Sequence, residues 1–238
     1  ELSLISGNLA QVKRRIIEAA KRVGRDSSDV RLLAVSKEQN DVTVAEGVHA
    51  GMTLFGENKI QEARSKIEVL GRDGLEWHFI GRLQKNKVKF IFGLFDLVHS
   101  VDSLALIEAI HKKAQTLGSC MPILLQVNVS GEKSKLGMDP LIVPKEIHKL
   151  AKLGGVKVRG LMTIPPYDRN PENSRPYYIR LRELRDTCSN LGIPGVQLDE
   201  LSMGMSNDYE VAVEEGATLV RVGTGLFGPR PSLEKPIP

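Results

Sequence analysis

Pro122-Ile123-Leu124-Leu125-Gln126-Val127 is apolar at every position but Gln126. A strand with one face in water alternates apolar and polar residues, whereas a strand covered on both faces has no need to. The run therefore predicts a parallel sheet wrapped by helices. Working outward from it, similar short runs recur at Val30 to Ser36, Thr53 to Gly56, Trp77 to Gly81, Leu94 to Val98, Ile123 to Val129, Val158 to Ile164, Gln197 to Met203 and Thr218 to Gly223. Each is followed by a segment that can form a helix. Ser103 to Leu117 is typical, with Leu104, Leu106, Ile107, Ile110 and Ala114 on one face and Lys112, Lys113 and Gln115 on another. A further amphipathic helix, Ser3 to Val23, precedes the first run. Eight strand-helix units predict an α/β fold, a single (β/α)8 TIM barrel with an extra N-terminal helix, with an open doubly wound sheet as the alternative. Residues 1–228 form the barrel domain. The remaining 229–238, with four prolines in ten residues, read as a loose tail.

Composition narrows the function classes. With 238 residues, 41% hydrophobic and 26% charged, the chain is an ordinary globular protein rather than a disordered or collagen-like one. Thirty-three Lys and Arg against 29 Asp and Glu leave a charge of +4, too small a surplus to imply nucleic acid. The densest basic run, Lys85-Asn86-Lys87-Val88-Lys89, reads as a solvated helix face. No stretch approaches the roughly 18 apolar residues of a membrane span, and Lys13, Arg14, Arg15 and Glu18 rule out a signal peptide. A cytoplasmic, monomeric protein is expected. Cys120 and Cys188 lack companion cysteines and read as reduced thiols, and His49, His78, His99, His111 and His148 show no metal-ligand spacing.

Barrels place chemistry at the carboxyl ends of their strands, and useful residues collect there. Lys37 follows Leu32-Leu33-Ala34-Val35-Ser36. It is either a solvated loop lysine or an amine whose charge burial disfavours, free to form a Schiff base with a carbonyl. Asn58, Gln61 and Glu62 open a helix after the second strand. Ser202 to Ser206 follow the seventh strand, with Ser206 an N-cap candidate for a helix through Val211, Val213 and Glu214. Gly223-Thr224-Gly225 after the eighth offers close backbone approach and a hydroxyl. Loops after strands seven and eight are a common phosphate site, although tight turns alone also explain these glycines. Arg221 lies inside the apolar strand Leu219-Val220-Arg221-Val222, which implies a buried ion pair or a ligand contact. Alternation places one of Trp77 and His78 inside the barrel, and His78 reads as a packed, hydrogen-bonded histidine.

Seven segments together resemble the YggS/PROSC-type pyridoxal phosphate (PLP) homeostasis proteins, which share the fold type III barrel of the alanine racemase N-terminal domain. They are Leu33-Ala34-Val35-Ser36-Lys37, Phe55-Gly56-Glu57-Asn58, Trp77-His78-Phe79-Ile80-Gly81, Gln126-Val127-Asn128 leading to Ser134-Lys135-Leu136-Gly137, Gly160-Leu161-Met162-Thr163-Ile164, Leu201-Ser202-Met203-Gly204-Met205-Ser206 and Val220-Arg221-Val222-Gly223-Thr224. The resemblance implies that Lys37 carries PLP as a Schiff base and that Ser206, Gly223 and Thr224 hold its phosphate. It implies also that Arg221 faces the pyridine nitrogen, that Asn58 lies near the ring, and that Met162, Ser202 and Met203 line the pocket. Departures fall at Glu38-Gln39-Asn40, at Lys59, where tyrosine is common, and at Arg82, where histidine or proline is usual.

An arginine only donates, so a ring facing it is a weaker electron sink than one facing an aspartate. Alanine racemase adds a tyrosine base from a second domain, for which a chain ending ten residues after Gly228 leaves no room. Tyr167, Tyr177, Tyr178 and Tyr209 do not match that base. The reading that follows is a PLP-binding protein of intracellular vitamin B6 homeostasis or delivery, without robust turnover, its partners being PLP and PLP-dependent apoenzymes. A small PLP-dependent amino-acid racemase and a PLP-free barrel aldolase are the alternatives.

Overall fold

Eight parallel strands pair in chain order and close on themselves, so the doubly wound alternative is excluded. The structure, a computed structural model, describes residues 3–133 and 136–229; Ser134, Lys135 and the expected tail from 230 onward lie outside the described residues. The strands are β1 (Arg31–Val35), β2 (Leu54–Glu57), β3 (Glu76–Phe79), β4 (Leu97–Val101), β5 (Met121–Gln126), β6 (Val156–Met162), β7 (Glu200–Ser202) and β8 (Leu219–Val222). The helices are α1 (Leu4–Arg22), α2 (Asp41–Ala50), α3 (Ile60–Leu70), α4 (Leu104–Thr116), α5 (Val143–Leu150), α6 (Arg175–Asn190), α7 (Tyr209–Glu214) and α8 (Thr224–Phe227). Closure is made by β1 against β8, where Leu33 pairs with Arg221 and Ala34 with Val222.

Alternation along the strands builds two cores. Leu33, Leu54, Leu97, Leu124, Met162 and Leu219 meet inside the barrel. The residues between them point outward and join the larger core under the helices, as Trp77 does, stacked on Phe55 at 5.1 Å between ring centroids. The additional helix α1 is capped by Ser3, whose Oγ accepts from Ser6 N–H. It buries Ile5, Leu9, Val12 and Ile16, each worth about 1.5–3 kcal/mol. Ion pairs of Arg22 with Glu210 and Glu214 tie its end to α7.

Most strand bounds differ from the sequence reading by one to three residues, and three differences matter most. The fourth strand begins at Leu97 rather than Leu94, because Gly93 takes a left-handed turn (φ +79°) and Asp96 caps the edge of β3, accepting from Trp77 N–H. Apolar residues from Ile91 to Leu94 therefore belong to the approach. The seventh strand shortens to Glu200–Ser202. The third unit has no α-helix; Lys85–Phe90 is a 3-10 turn, since three exposed lysines leave too little apolar surface for a packed face. Among the described residues no helix is long and apolar enough to cross a membrane, no group of three His, Cys, Asp or Glu is arranged for a metal, and Cys120 and Cys188 are free.

Candidate functional site

The carboxyl ends of the strands surround a cavity of about 460 Å3 whose wall includes Lys37, Asn58, Ser206, Arg221, Gly223 and Thr224, within the usual small-ligand range. These are six of the nine residues expected from sequence. The other three lie beneath or behind it: Met162 in the inner apolar cluster, Met203 in the outer core, and Ser202 under Arg221. Val35, Ile80, Gly81, Ile164, Tyr167, Met205 and Asn207 complete the wall, and of these Asn207 was not named from the sequence.

Lys37 is half-buried at the end of β1, and its backbone is braced from both sides. Lys66 of α3, only 4% exposed, donates to Ser36 C=O at 2.6 Å, Glu57 Oε1 at 2.7 Å and Glu62 Oε1 at 2.8 Å. Ser36 Oγ donates to the same Glu57 oxygen at 2.7 Å. Beyond Lys37, Glu38 N–H donates to Glu62 at 2.6 Å, which holds Glu38 in the left-handed region at φ +63°, a conformation that clusters at functional sites. Burial pushes the Glu57 carboxyl up against the opposing pull of Lys66 and Ser36. Glu62 is desolvated too, yet Lys66 and Glu38 N–H bring it below the usual carboxylate range.

The opposite wall is a cradle of backbone donors. Gly223 and Gly225 N–H both donate to Ser206 Oγ at 3.3 Å, long bonds at the weak end of the range. A stronger acceptor in the cavity can take these donors. Ser206 does not cap a helix as expected; α7 begins at Tyr209, and Asp208 precedes it and accepts from Met205 N–H at 2.9 Å. Two glycines make this geometry possible. Gly204 adopts φ +98°, where a Cβ would fall 2.5 Å from Ala212 Cβ, and at Gly225 one would fall 2.9 Å from Val222 Cγ1.

Arg221 is 4% exposed and forms no ion pair with a described carboxylate. Its Nη2 donates to Thr163 C=O at 3.0 Å and Nη1 to Ser202 Oγ at 2.6 Å, so two of its five N–H donors are engaged. Ser202 then has its own proton to place, and His99 Nδ1 lies 2.8 Å away. His99 Nε2 is 2.9 Å from His78 Nδ1, and His78 Nε2 is 3.3 Å from Glu76 Oε2. Because arginine cannot accept, Ser202 Oγ accepts from Arg221, and the row of hydrogen bonds continues through His99 and His78 to Glu76. Desolvation holds His99 well below the ordinary histidine value, reinforced by His78 and Arg221. Glu76 is drawn down to about 2 by its hydrogen bond to His78, with Arg31 adding to the pull. His78 is packed and bonded, as expected; the partners His99 and Ser202 were not.

The alanine racemase N-terminal domain family matches residues 7–231. The pyridoxal phosphate homeostasis protein of Aquifex aeolicus is 46% identical over 222 residues, covering 93% of this chain and 96% of that protein. Among solved structures, PipY of Synechococcus elongatus with PLP bound superposes with a TM-score of 0.81 at 37% identity, over 94% of this chain and 100% of PipY. Alanine racemase of Corynebacterium glutamicum shares the fold, with a TM-score of 0.69 at 16% identity over 98% of this chain and 63% of its own.

Two predictions follow from the buried networks. Lys66→Ala strands Glu57 and should cost about 3–5 kcal/mol in urea unfolding, whereas the exposed Lys59→Ala stays within about 0.5 kcal/mol; a loss under about 1 kcal/mol for Lys66→Ala would contradict the brace. His99 stays neutral when folded but gains a proton when unfolded below about pH 6.5. Stability should therefore fall with pH below that value, by up to about 1.4 kcal/mol per unit more than in His99→Asn. Equal slopes for the two proteins between pH 7.5 and pH 5.5 would show His99 protonated in the fold.

Proposed function

Given that the chain belongs to the alanine racemase N-terminal domain family and to its pyridoxal phosphate homeostasis proteins, we propose that the cavity binds PLP through Lys37 and serves PLP homeostasis or delivery without robust turnover. The observation that carries this reading is the donor set. One cavity joins a lysine amine, a cradle of backbone N–H groups that a phosphate fits, and a donor-only cation suited to an unprotonated ring nitrogen. When bound, PLP supplies an aldehyde that a primary amine attacks and a ring that withdraws electrons.

Each role falls to this chain's own residues. Lys37 provides the amine, positioned by the Lys66 and Glu62 brace on its flanking backbone. Ser206, Thr224 and the N–H groups of Gly223 and Gly225 receive the phosphate, and Ser206 Oγ then turns its proton toward an anion rather than accepting. Asn58, whose Oδ1 is buried without a described partner, offers an amide near the ring. Arg221 keeps its charge and disfavours a proton on the ring nitrogen, which weakens carbanion stabilisation and suits holding over turnover. Met162 and Met203 support the wall from behind, and Ser202 fixes Arg221. PLP-dependent apoenzymes are the natural recipients of such a pool.

A small racemase is the second reading, and one observation favours it: Tyr167 lines the cavity. The residue is 75% exposed and hydrogen-bonds to no described group, so it does not resemble a prepared catalytic group. Following α-proton exchange of single L-amino acids in deuterated water separates the two; saturable, rapid exchange would favour the racemase.

Borohydride reduction of the PLP-loaded chain, followed by peptide mass mapping, should place the label on Lys37 and nowhere else. A label on another lysine contradicts the assignment. Ser206→Ala should weaken PLP binding by about 1.5–3 kcal/mol, one charge-assisted hydrogen bond; an unaltered dissociation constant would remove Ser206 from the phosphate site.

A further inference from the structure

A second cavity, of about 390 Å3, opens between the start of α3 and the 3-10 turn after β3, sharing Asn58 with the first. Lys59, Arg64, Arg82 and Lys87 line it, with Phe79 and Phe90 among its apolar walls and no carboxylate. We propose that it is a separate binding site for a small phosphorylated molecule carrying a flat aromatic ring, of nucleotide size.

Charge is the first support. The whole chain has a surplus of +4, and this one concavity gathers four cations. Many arginines elsewhere are matched to acids or to backbone carbonyls, as Arg175 is to Glu172, Glu214 and Glu215 and Arg25 is to Val213 and Ala217 C=O. None of the four here pairs with a described carboxylate. Glu62 feels the charge of Lys59, but its Oε1 is already engaged by Lys66 and by Glu38 N–H. Like charges gathered without a counter-charge repel, and a bound anion relieves that repulsion.

The second support is the ring. Arg64 and Lys87 lie 5.6 and 5.7 Å from the centroid of Phe90, and Lys89 lies 5.0 Å from it. Cation–π contacts position cations without neutralising them, so the groups remain available to phosphate while the aromatic and guanidinium planes offer a stacking surface. The bounded volume fits a small molecule rather than an extended strand. Lys59 and Arg82 are also two positions at which this chain departs from the residues expected from the resemblance. Nothing in this placement depends on what fills the first cavity.

Isothermal titration calorimetry at 0.15 M salt with ADP, adenosine and inorganic pyrophosphate as probes tests the site. ADP should bind at least about tenfold more tightly than either fragment, and Lys59→Glu with Arg82→Glu should weaken ADP by about tenfold or more. Both side chains are exposed, and at that salt their effect on PLP retention in the first cavity should stay within about twofold. One equivalent of PLP should leave ADP binding intact. The proposal is overturned if ADP does not bind, if the double variant binds it unchanged, or if one equivalent of PLP displaces it. Pyrophosphate binding as well as ADP would overturn the aromatic component.

Discussion

A full positive charge inside a barrel of apolar strands is the constraint around which the interior is organised. Arg221 projects from β8 with only 4% of its surface exposed. Desolvation weighs against its charge, and the described acid that acts on it, Asp208, does so from beyond ion-pair distance. A row of hydrogen bonds leads instead from the guanidinium through Ser202, His99 and His78 to Glu76. Glu76 in turn pairs with Arg31 at the entry to β1. The row links a local charge to a chain of polar groups crossing the barrel. Breaking any link leaves a buried donor or acceptor unmatched, which is costlier than never having had the pair.

The consequence at the mouth is a rigid donor. Arg221 cannot swing away without stranding Ser202 and Thr163 C=O, so its remaining N–H groups keep their direction. Across the cavity the Lys66 brace does the same for Lys37, fixing the backbone on either side of it while leaving the long side chain to reach the mouth. The third element, the cradle formed by Ser206, Gly223 and Gly225, holds its donors on weak internal bonds. Two groups are thus firmly preorganised and one is ready to exchange partners, an arrangement suited to holding a phosphorylated aldehyde and releasing it.

Much of this was legible in the chain itself. Near-continuous apolar strands gave parallel pairing, and counting them gave the barrel. Position at strand ends selected Lys37, Asn58, Ser206, Arg221, Gly223 and Thr224, all on one cavity wall. What periodicity conveys is which way a residue faces, and it cannot name partners from distant strands. His99 and Ser202 are 103 residues apart, and nothing local to either marks the other. Lys66 was equally hidden: within α3 it has the look of a surface lysine, and its burial follows from where Glu57 and Ser36 C=O come to lie. A usable signal did exist for the inner row, since Glu76 and His78 are two polar residues on one face of β3.

The central claim is that one cavity presents an amine, an anion cradle and a donor-only cation to a single molecule. A crystal structure of the chain grown with PLP tests it most directly. The account predicts continuous density from Lys37 Nζ, a phosphate against Ser206 and the N–H groups of Gly223 and Gly225, and the ring nitrogen facing Arg221. Density joined to a different lysine, or a ring turned so that its nitrogen faces away from Arg221, would contradict it.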